Sequence, residues 1–180
     1  MTIYVDDSIS LELLDDKHAE ATFKLIDANR NYLKEWLPWV GNMQTINNFK
    51  TYISNSKKQS EAATDFGYAI LFNNNISGRI GIHYIDQKNK TASLGYWLGE
   101  NFAGRGIITK SCKAKINYAF TALNLNRIEI KCATKNYKSK AIDQRLNFKQ
   151  EGILKEAELV NGKFINLYLF AMLKSEWQIC

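Results

Sequence analysis

Three consecutive runs with a hydrophobic period of two, Phe66 to Phe72, Ile76 to Tyr84 and Ala92 to Leu98, lead without a linker into a glycine-bearing turn and then a helical repeat. Asn73-Asn74-Asn75 separates the first two runs and Asp86 to Lys90 the second pair, so the three read as an antiparallel meander. Beyond the turn, Ile108, Cys112, Ile116, Ala119 or Phe120, and Leu123 recur at steps of three and four, with Lys110, Lys113, Asn117 and Thr121 opposite. Arg127 to Thr134 is strand-like again. A strand, a helix and a further strand in that order make one crossover near the middle of the chain.

Ile9, Leu11 and Leu13 alternate with polar residues and predict a strand over 8–14, after which Asp15-Asp16 offers a helix N-cap. Ala19, Phe23 and Ile26 fall at helical spacing, with a second apolar cluster at Tyr32, Leu33, Trp36 and Leu37 that Pro38 closes. A further helix is predicted from Thr45 to about Gln59, on the stripe Phe49, Tyr52, Ile53 and Ser56. Ser139 to Leu146 reads as a short helix, and Phe148 to Val160 passes through Asn161-Gly162, a hairpin signal, into Lys163 to Leu173. The expected fold is α/β (α+β): a mixed, largely antiparallel sheet of six to seven strands flanked by helices, in a single domain over 1–180.

Composition narrows the function classes. With 46% hydrophobic and 23% charged residues in 180, this is the balance of a globular chain, and one proline with ten glycines leaves no linker. Acid follows Met1 within a few residues and no apolar run approaches the ~18 residues needed to span a bilayer, so a soluble, cytoplasmic chain without a membrane partner is expected. Cys112, Cys132 and Cys180 are odd in number and widely spaced, which excludes a disulfide framework and a Cys-x-x-Cys metal site. His18 and His83 have no matching ligand spacing, so no metal is expected. A formal charge of +6 favours an anionic partner without choosing among a phosphorylated cofactor, RNA and an acidic protein; no basic run interleaved with aromatics supports direct nucleic-acid binding.

The segment Gly99-Glu100-Asn101-Phe102-Ala103-Gly104-Arg105-Gly106-Ile107-Ile108-Thr109-Lys110 stands between a strand and the most regular helix. There, exposed backbone N–H groups and the helix dipole can hold an anion, and two glycines allow a phosphate to approach the backbone. A strand-to-helix turn that merely needs glycine fits the same residues.

Longer motifs add to this. Gly95-Tyr96-Trp97-Leu98, Phe102 to Thr109, Leu125-Asn126-Arg127, Asn136-Tyr137-Lys138-Ser139-Lys140-Ala141, Phe148 to Gly152, Val160-Asn161-Gly162 and Leu173 to Trp177 resemble, in order, the Gcn5-related N-acetyltransferase superfamily. Within it they are similar to the branch of ribosomal-protein N-terminal acetyltransferases, as is the upstream aromatic segment Tyr32 to Trp39. The resemblance implies an acyl-CoA N-acyltransferase fold and acetyl-CoA as cofactor. It places the pyrophosphate on the loop from Asn101 to Ile107, through the N–H groups of Ala103, Gly104, Arg105 and Gly106, with Leu98 and Thr109 beside the cofactor. It implies that the strand ending near Leu98 splays from the one beginning near Arg127 to admit the pantetheine arm, which Asn136 hydrogen-bonds. Ser139 then lies near the thioester sulfur as the candidate catalytic residue, because the superfamily's tyrosine acid falls at Asp143, which cannot play that role when ionised.

Four positions depart from the pattern. Asn101 replaces Gln or Arg at the head of the loop, and Asn147 stands where glycine precedes phenylalanine. Ser93 and Asn166 stand where relatives carry a glutamate and an aspartate, removing carboxylates that bear on catalysis. An α-amine of pKa ~7.7–8.0 is roughly a quarter unprotonated near neutral pH, against about a thousandth for lysine at ~10.4. The missing base therefore argues against a lysine acceptor more than against acetylation, and water or Glu100 could complete proton removal.

Tyr32, Trp36, Trp39 and Phe49 could wall a groove, fill a core or form a contact between copies of a homo-oligomer. Lys110, Lys113 and Lys115 read either as attracting the cofactor's phosphates or, more often for such a run, as a solvated helical face, and Cys112 as a packed small hydrophobe. The expected activity is transfer of acetyl from acetyl-CoA to an amine, most directly the α-amine of a ribosomal protein. The alternatives are a small-molecule acetyltransferase for a polyamine, aminoglycoside or amino acid, for which Asp6, Asp7, Asp15 and Asp16 are the dense acidic patch, and a CoA-binding module of low activity.

Overall fold

A computed structural model describes residues 1–178 of the chain. Its strands are β1 (Thr2–Tyr4), β2 (Ile9–Leu13), β3 (Phe66–Phe72), β4 (Asn75–Asp86), β5 (Thr91–Leu98), β6 (Arg127–Ala133), β7 (Lys149–Val160) and β8 (Lys163–Leu173). They form one sheet in the order β1-β2-β3-β4-β5-β6-β8-β7. Every neighbouring pair is antiparallel except β5 and β6. The sheet has one strand more than the sequence predicts. The extra one, β1, is three residues long, too short to display alternation.

The helices are α1 (Ala19–Ala28), α2 (Arg30–Lys34), α3 (Ile46–Glu61), α4 (Ile107–Thr121) and α5 (Tyr137–Arg145). Period two in the strands divides them between the faces. Leu11 pairs with Ile70, Tyr68 with Ile80 and Ile82 with Leu94, and this face packs on Ile108, Cys112, Ile116 and Phe120 of α4. Ala69 and Trp97 point the other way, into a second cluster with Ile26, Leu33, Phe49 and Ile53 of α1, α2 and α3. Local chemistry sets the joints: Thr45 and Asn48 form a capping box at the start of α3. Asn161 and Gly162, with φ of 49° and 75°, make the left-handed turn of the last hairpin. No helix among the described residues is long and apolar enough to cross a membrane.

One expectation is corrected here, and one position that departs from the family pattern gains a structural role. Asn166 serves the fold, because its Oδ1 accepts from the Glu156 N–H at 2.8 Å where β7 bulges between Leu154 and Glu158. Lys115 is not on a solvated face but is fully buried, its Nζ 3.5 Å from the Tyr68 ring centroid and 4.5 Å from that of Tyr118, with no hydrogen-bond partner. Helical spacing hides this because α4 sinks deep enough into the sheet to bury flanking positions as well as its apolar stripe. Desolvated cation–π contacts return about 2 kcal/mol or somewhat more each, less than the far larger cost of an unpaired buried ammonium. Burial wins and holds the amine well below its ordinary range.

The unfolded chain thus binds a proton that the folded one refuses, and stability rises with pH until the ordinary lysine value is reached. Lys115→Met is expected to stabilise the fold at pH 7 by ~1–3 kcal/mol and to flatten that rise. Urea denaturation at pH 7 and pH 9.5 measures both.

Candidate active site at the parting of two strands

Strands β5 and β6 pair only where Thr91, Ala92 and Ser93 meet Arg127, Ile128 and Glu129. Beyond Ser93 they diverge, because β6 stays paired with β8 along its whole length while β5 follows β4. The Gly99 N–H donates to the Ser77 carbonyl at 2.8 Å, so by strand alternation the Trp97 N–H also faces β4. The N–H and C=O groups of Tyr96 and Leu98 therefore face the opening. A cleft of about 1080 Å³ passes through it, lined by Tyr32, Leu33, Trp36 and Leu37 on one side and by Ile107, Ile108, Asn136, Ser139 and Ile142 on the other.

One end of the cleft is the glycine loop. A 3-10 turn over Glu100–Phe102, tied to α1 by the Glu100 N–H donating to Asn29 Oδ1 at 2.9 Å, delivers the chain to Gly104 and Gly106, with φ of 77° and 73°. These left-handed angles are why glycine stands at both positions. Unlike α3 and α5, α4 has no side-chain cap: its first backbone bond runs from the Lys110 N–H to the Gly106 carbonyl, leaving the N–H groups of Ile107, Ile108 and Thr109 open. Lys110, Lys135, Lys138 and Arg145 also line the cleft, and Arg145 donates to Thr109 Oγ1 at 3.3 Å. Open amides, a helix N-terminus and four cations suit a polyphosphate.

Of the residues singled out in the sequence, Leu98, Ala103, Gly104, Gly106, Ile107, Thr109, Asn136 and Ser139 line the cleft. Asn101 and Arg105 are not among its lining residues; the Arg105 guanidinium stacks on Phe72, 5.8 Å from the ring centroid. The Asn136 oxygen is committed to capping α5, accepting from the Ser139 N–H at 3.1 Å, so its amide nitrogen is what remains for a ligand.

The centre holds a cluster that sequence reading misses. Tyr96 OH is 2.9 Å from Ser139 Oγ and donates to Asp143 Oδ1 at 3.2 Å. Asp143 is fully buried, with Oδ2 unpartnered. Burial pushes its carboxyl up to about 7, against smaller opposing effects from Cys132 and Tyr96. In the sequence Asp143 is set aside as unable to act when ionised; burial leaves it partly protonated near neutral pH. Tyr96 goes unnoticed because it lies on β5, far in sequence from Ser139, and only the approach of α5 brings the two together. Cys132 stands beside them, its thiol pushed up to about 12 by burial.

The four aromatic residues divide. Phe49 is core, Trp39 packs on Trp97 with ring centroids 6.0 Å apart, and Tyr32 and Trp36 line the cleft. The last hairpin reaches over to this side, where Asn161 Nδ2 donates to the Lys34 carbonyl at 2.8 Å, and Lys138 of α5 lies 5.4 Å from the Tyr32 ring centroid. Glu35 and Glu100 are the carboxylates among the lining residues at the mouth. Cys112 is fully buried as expected, Cys180 lies outside the described residues, and among the described residues no cluster could hold a metal.

Residues 9–149 match the family described as acetyltransferase (GNAT) domain. The Bacillus subtilis (strain 168) protein YdaF is 35% identical over 178 residues, covering 98% of this chain and 97% of its own. Among solved structures, a ribosomal α-N-protein acetyltransferase in complex with coenzyme A is similar with a TM-score of 0.94 and 27% identity, over 96% of this chain and 98% of that one. The microcin self-immunity acetyltransferase MccE, solved with acetyl-CoA and AMP, has a TM-score of 0.91 and 31% identity over 95% of each chain.

The raised Asp143 carboxyl has a consequence for stability. The folded state keeps a proton up to about pH 7 that the unfolded state releases near 3.8, so folding weakens as pH climbs between those values. Asp143→Asn preserves the shape and cannot ionise. Its stability relative to the wild-type chain is expected to grow by a few kcal/mol, at ~1.36 kcal/mol per pKa unit, between pH 4 and pH 8. Urea denaturation across that range is the measurement; parallel curves would contradict the assignment.

Proposed function

The chain belongs to the GNAT acetyltransferase family and is an acetyl-CoA-dependent acetyltransferase acting on an amine; we propose that its acceptor is the N-terminal α-amine of a protein, a ribosomal protein in particular. The observation that carries this reading is the cleft through the sheet, with open helix amides at one end, a hydroxyl and carboxyl cluster at its centre, and an aromatic mouth under the hairpin. Bound acetyl-CoA supplies an acetyl group activated as a thioester.

The chain's residues then divide the work. The N–H groups of Gly104, Gly106, Ile107 and Ile108 hold the pyrophosphate, with Lys110 and Arg145 adding charge. A backbone N–H of Tyr96 or Leu98 stabilises negative charge on the carbonyl oxygen without reorganising during the reaction. Ser139 Oγ provides the proton for the departing sulfur, and Tyr96 and Asp143 restore it. With Asp143 protonated, the hydroxyls align from Asp143 through Tyr96 to Ser139, and a carboxyl near 7 suits such a relay at neutral pH.

Charge favours a protein amine over a polycation. Three of the four carboxylates of the acidic patch expected to attract a polyamine are in ion pairs, Asp6 with Lys110 at 2.6 Å, and Asp15 and Asp16 with Lys57 at 2.5 and 2.6 Å, which leaves Asp7. The cleft lining carries four cations against two carboxylates, a setting suited to an anionic cofactor and a single amine. An α-amine is already partly free near neutral pH, as the acceptor of a chain with Ser93 on β5 should be.

The test incubates the protein and acetyl-CoA with peptides bearing free N-termini, with spermidine, with an aminoglycoside and with free amino acids. Acetylation of peptides at the α-amine, read by mass spectrometry with internal lysines untouched, is expected; turnover of small amines alone would overturn the reading. Gly104→Asp forces a Cβ into a left-handed backbone at ~1–2 kcal/mol and adds a negative charge, so the Kd for acetyl-CoA should rise at least ~10-fold by calorimetry. Ser139→Ala should lower kcat by ~10–100-fold with the Kd nearly unchanged.

A further inference from the structure

Ser139, Tyr96 and Asp143 lie on the α4–α5 side of the sheet, and the reaction also needs a group on the other side to take a proton from the incoming amine. On that other face, the one covered by α1, α2 and α3, the pairing of β3, β4 and β5 aligns Gly67, Gly81 and Gly95 in one row across the strands. His83 belongs to the same face and pairs with Ser93, the last residue of β5 still joined to β6. Its ring leans back over the glycines. A Cβ on Gly81 would lie 2.5 Å from Cε1 and 2.6 Å from Nε2, and one on Gly95 would lie 3.2 Å from Cδ2 and 3.4 Å from Nε2. Neither glycine has a left-handed φ, so what they provide is room for the imidazole.

The ring is held from one side only. Nδ1 lies 2.5 Å from Asp65 Oδ2, with side-chain exposures of 20% for His83 and 13% for Asp65, while Nε2 has no hydrogen-bond partner among the described residues. His18 makes the contrast: it accepts from the Asp15 N–H at Nδ1, contacts Glu12 at Nε2, and is buried, as a structural histidine should be. In the tautomer whose Nδ1–H donates to the Asp65 carboxylate, Nε2 carries the lone pair. The Gly81–Gly95 row is one pleat, ~7 Å, from the Arg79–Trp97 row. Trp97 is flanked by the two residues whose backbone faces the opening.

We propose that His83, oriented by Asp65 and seated on Gly81 and Gly95, is the general base that accepts the amine proton, directly or through one water, from the face opposite Ser139. The C–N bond forms as the C–S bond breaks. An ammonium acceptor sheds two protons: one leaves to solvent before attack and the second passes to Nε2 of His83 and on to solvent, while Ser139 delivers one proton to sulfur and is reprotonated from solvent through Tyr96 and Asp143, so that one proton is released overall. The groups that face the ring are Asp65 ahead of β3, Ser93 on β5, Glu129 on β6 with its carboxylate bonded to Arg127 at 2.9 Å, Arg79 stacked on Tyr52 at 4.8 Å, and Tyr84, whose ring centroid is 6.4 Å away. None of these contacts occupies Nε2.

The proposal takes the identity of the acceptor from the reading above, but not its assay, which follows free thiol release with peptides, spermidine, an amino acid amide or water as acceptor. The profile of kcat against pH is measured for the wild-type chain, His83→Gln, Asp65→Asn and His83→Ala with added imidazole. His83→Gln should lower kcat by ~100-fold and abolish the acid limb, with the Kd for acetyl-CoA within twofold. Asp65→Asn should shift that limb, and imidazole should restore His83→Ala at least ~10-fold, in proportion to its free-base fraction, since the glycine floor leaves it a slot. A merely structural histidine would move neither the limb nor the rescue. If His83→Gln keeps the wild-type rate and profile on every acceptor, the base is refuted while the acceptor assignment stands. Inert peptides beside His83-dependent turnover of small amines would refute the acceptor and leave the base. Should His83→Gln not fold, an unmoved limb in Asp65→Asn overturns the proposal and a shifted one supports it.

Discussion

Everything at this site depends on one interrupted ladder. A parallel pair that stops after three residues leaves the N–H and C=O groups of Tyr96 and Leu98 without sheet partners, and each such bond is worth roughly 0.5–1.5 kcal/mol when made. The loss is tolerable because neither strand relies on the other: β4 supports β5, and β8 pairs with all seven residues of β6. An opening with strand-like polar edges is a receptor for an extended, amide-bearing molecule. Its walls are rigid because they are sheet.

The parting also makes the two faces of the sheet chemically distinct while keeping them within reach of one another. Facing α4 and α5 are the uncapped helix, the hydroxyl pair and a buried carboxyl; facing α1, α2 and α3 are the aromatic mouth, the glycine row and the His83–Asp65 pair. Catalysis of acyl transfer asks for proton removal from one reactant and proton delivery to the other, and a slot through a sheet separates those groups without a long relay. Burial tunes one side: the environment that lifts Asp143 to about 7 is the hydrophobic layer that anchors α5.

Much of this is legible in the sequence where the signal is local. The meander, the crossover helix, the Asn161-Gly162 turn and the helix beginning at Thr45 each follow from residues within a few positions of one another, and each stands close to where those residues place it. Gly104 and Gly106 likewise announce a backbone angle that other residues avoid. Lys115 and Asp143 mislead for one reason. Charged residues on helices are usually solvated, and nothing local says that a helix will be enclosed on more than its apolar stripe.

Period, turn chemistry and motif order thus determined by themselves that this chain builds a mixed sheet around one crossover, with a glycine loop ahead of its central helix. Those properties depend on backbone angles and on which face a residue takes, and both are set by neighbours in the chain. Only the tertiary structure decided that Tyr96 meets Ser139 and Asp143, that Asp65 meets His83 over two glycines, and that a lysine lies among tyrosines. Each of those depends on strand register and helix docking, which join residues distant in sequence. Their ionisation follows from burial, a property of the assembled layers and of no segment alone.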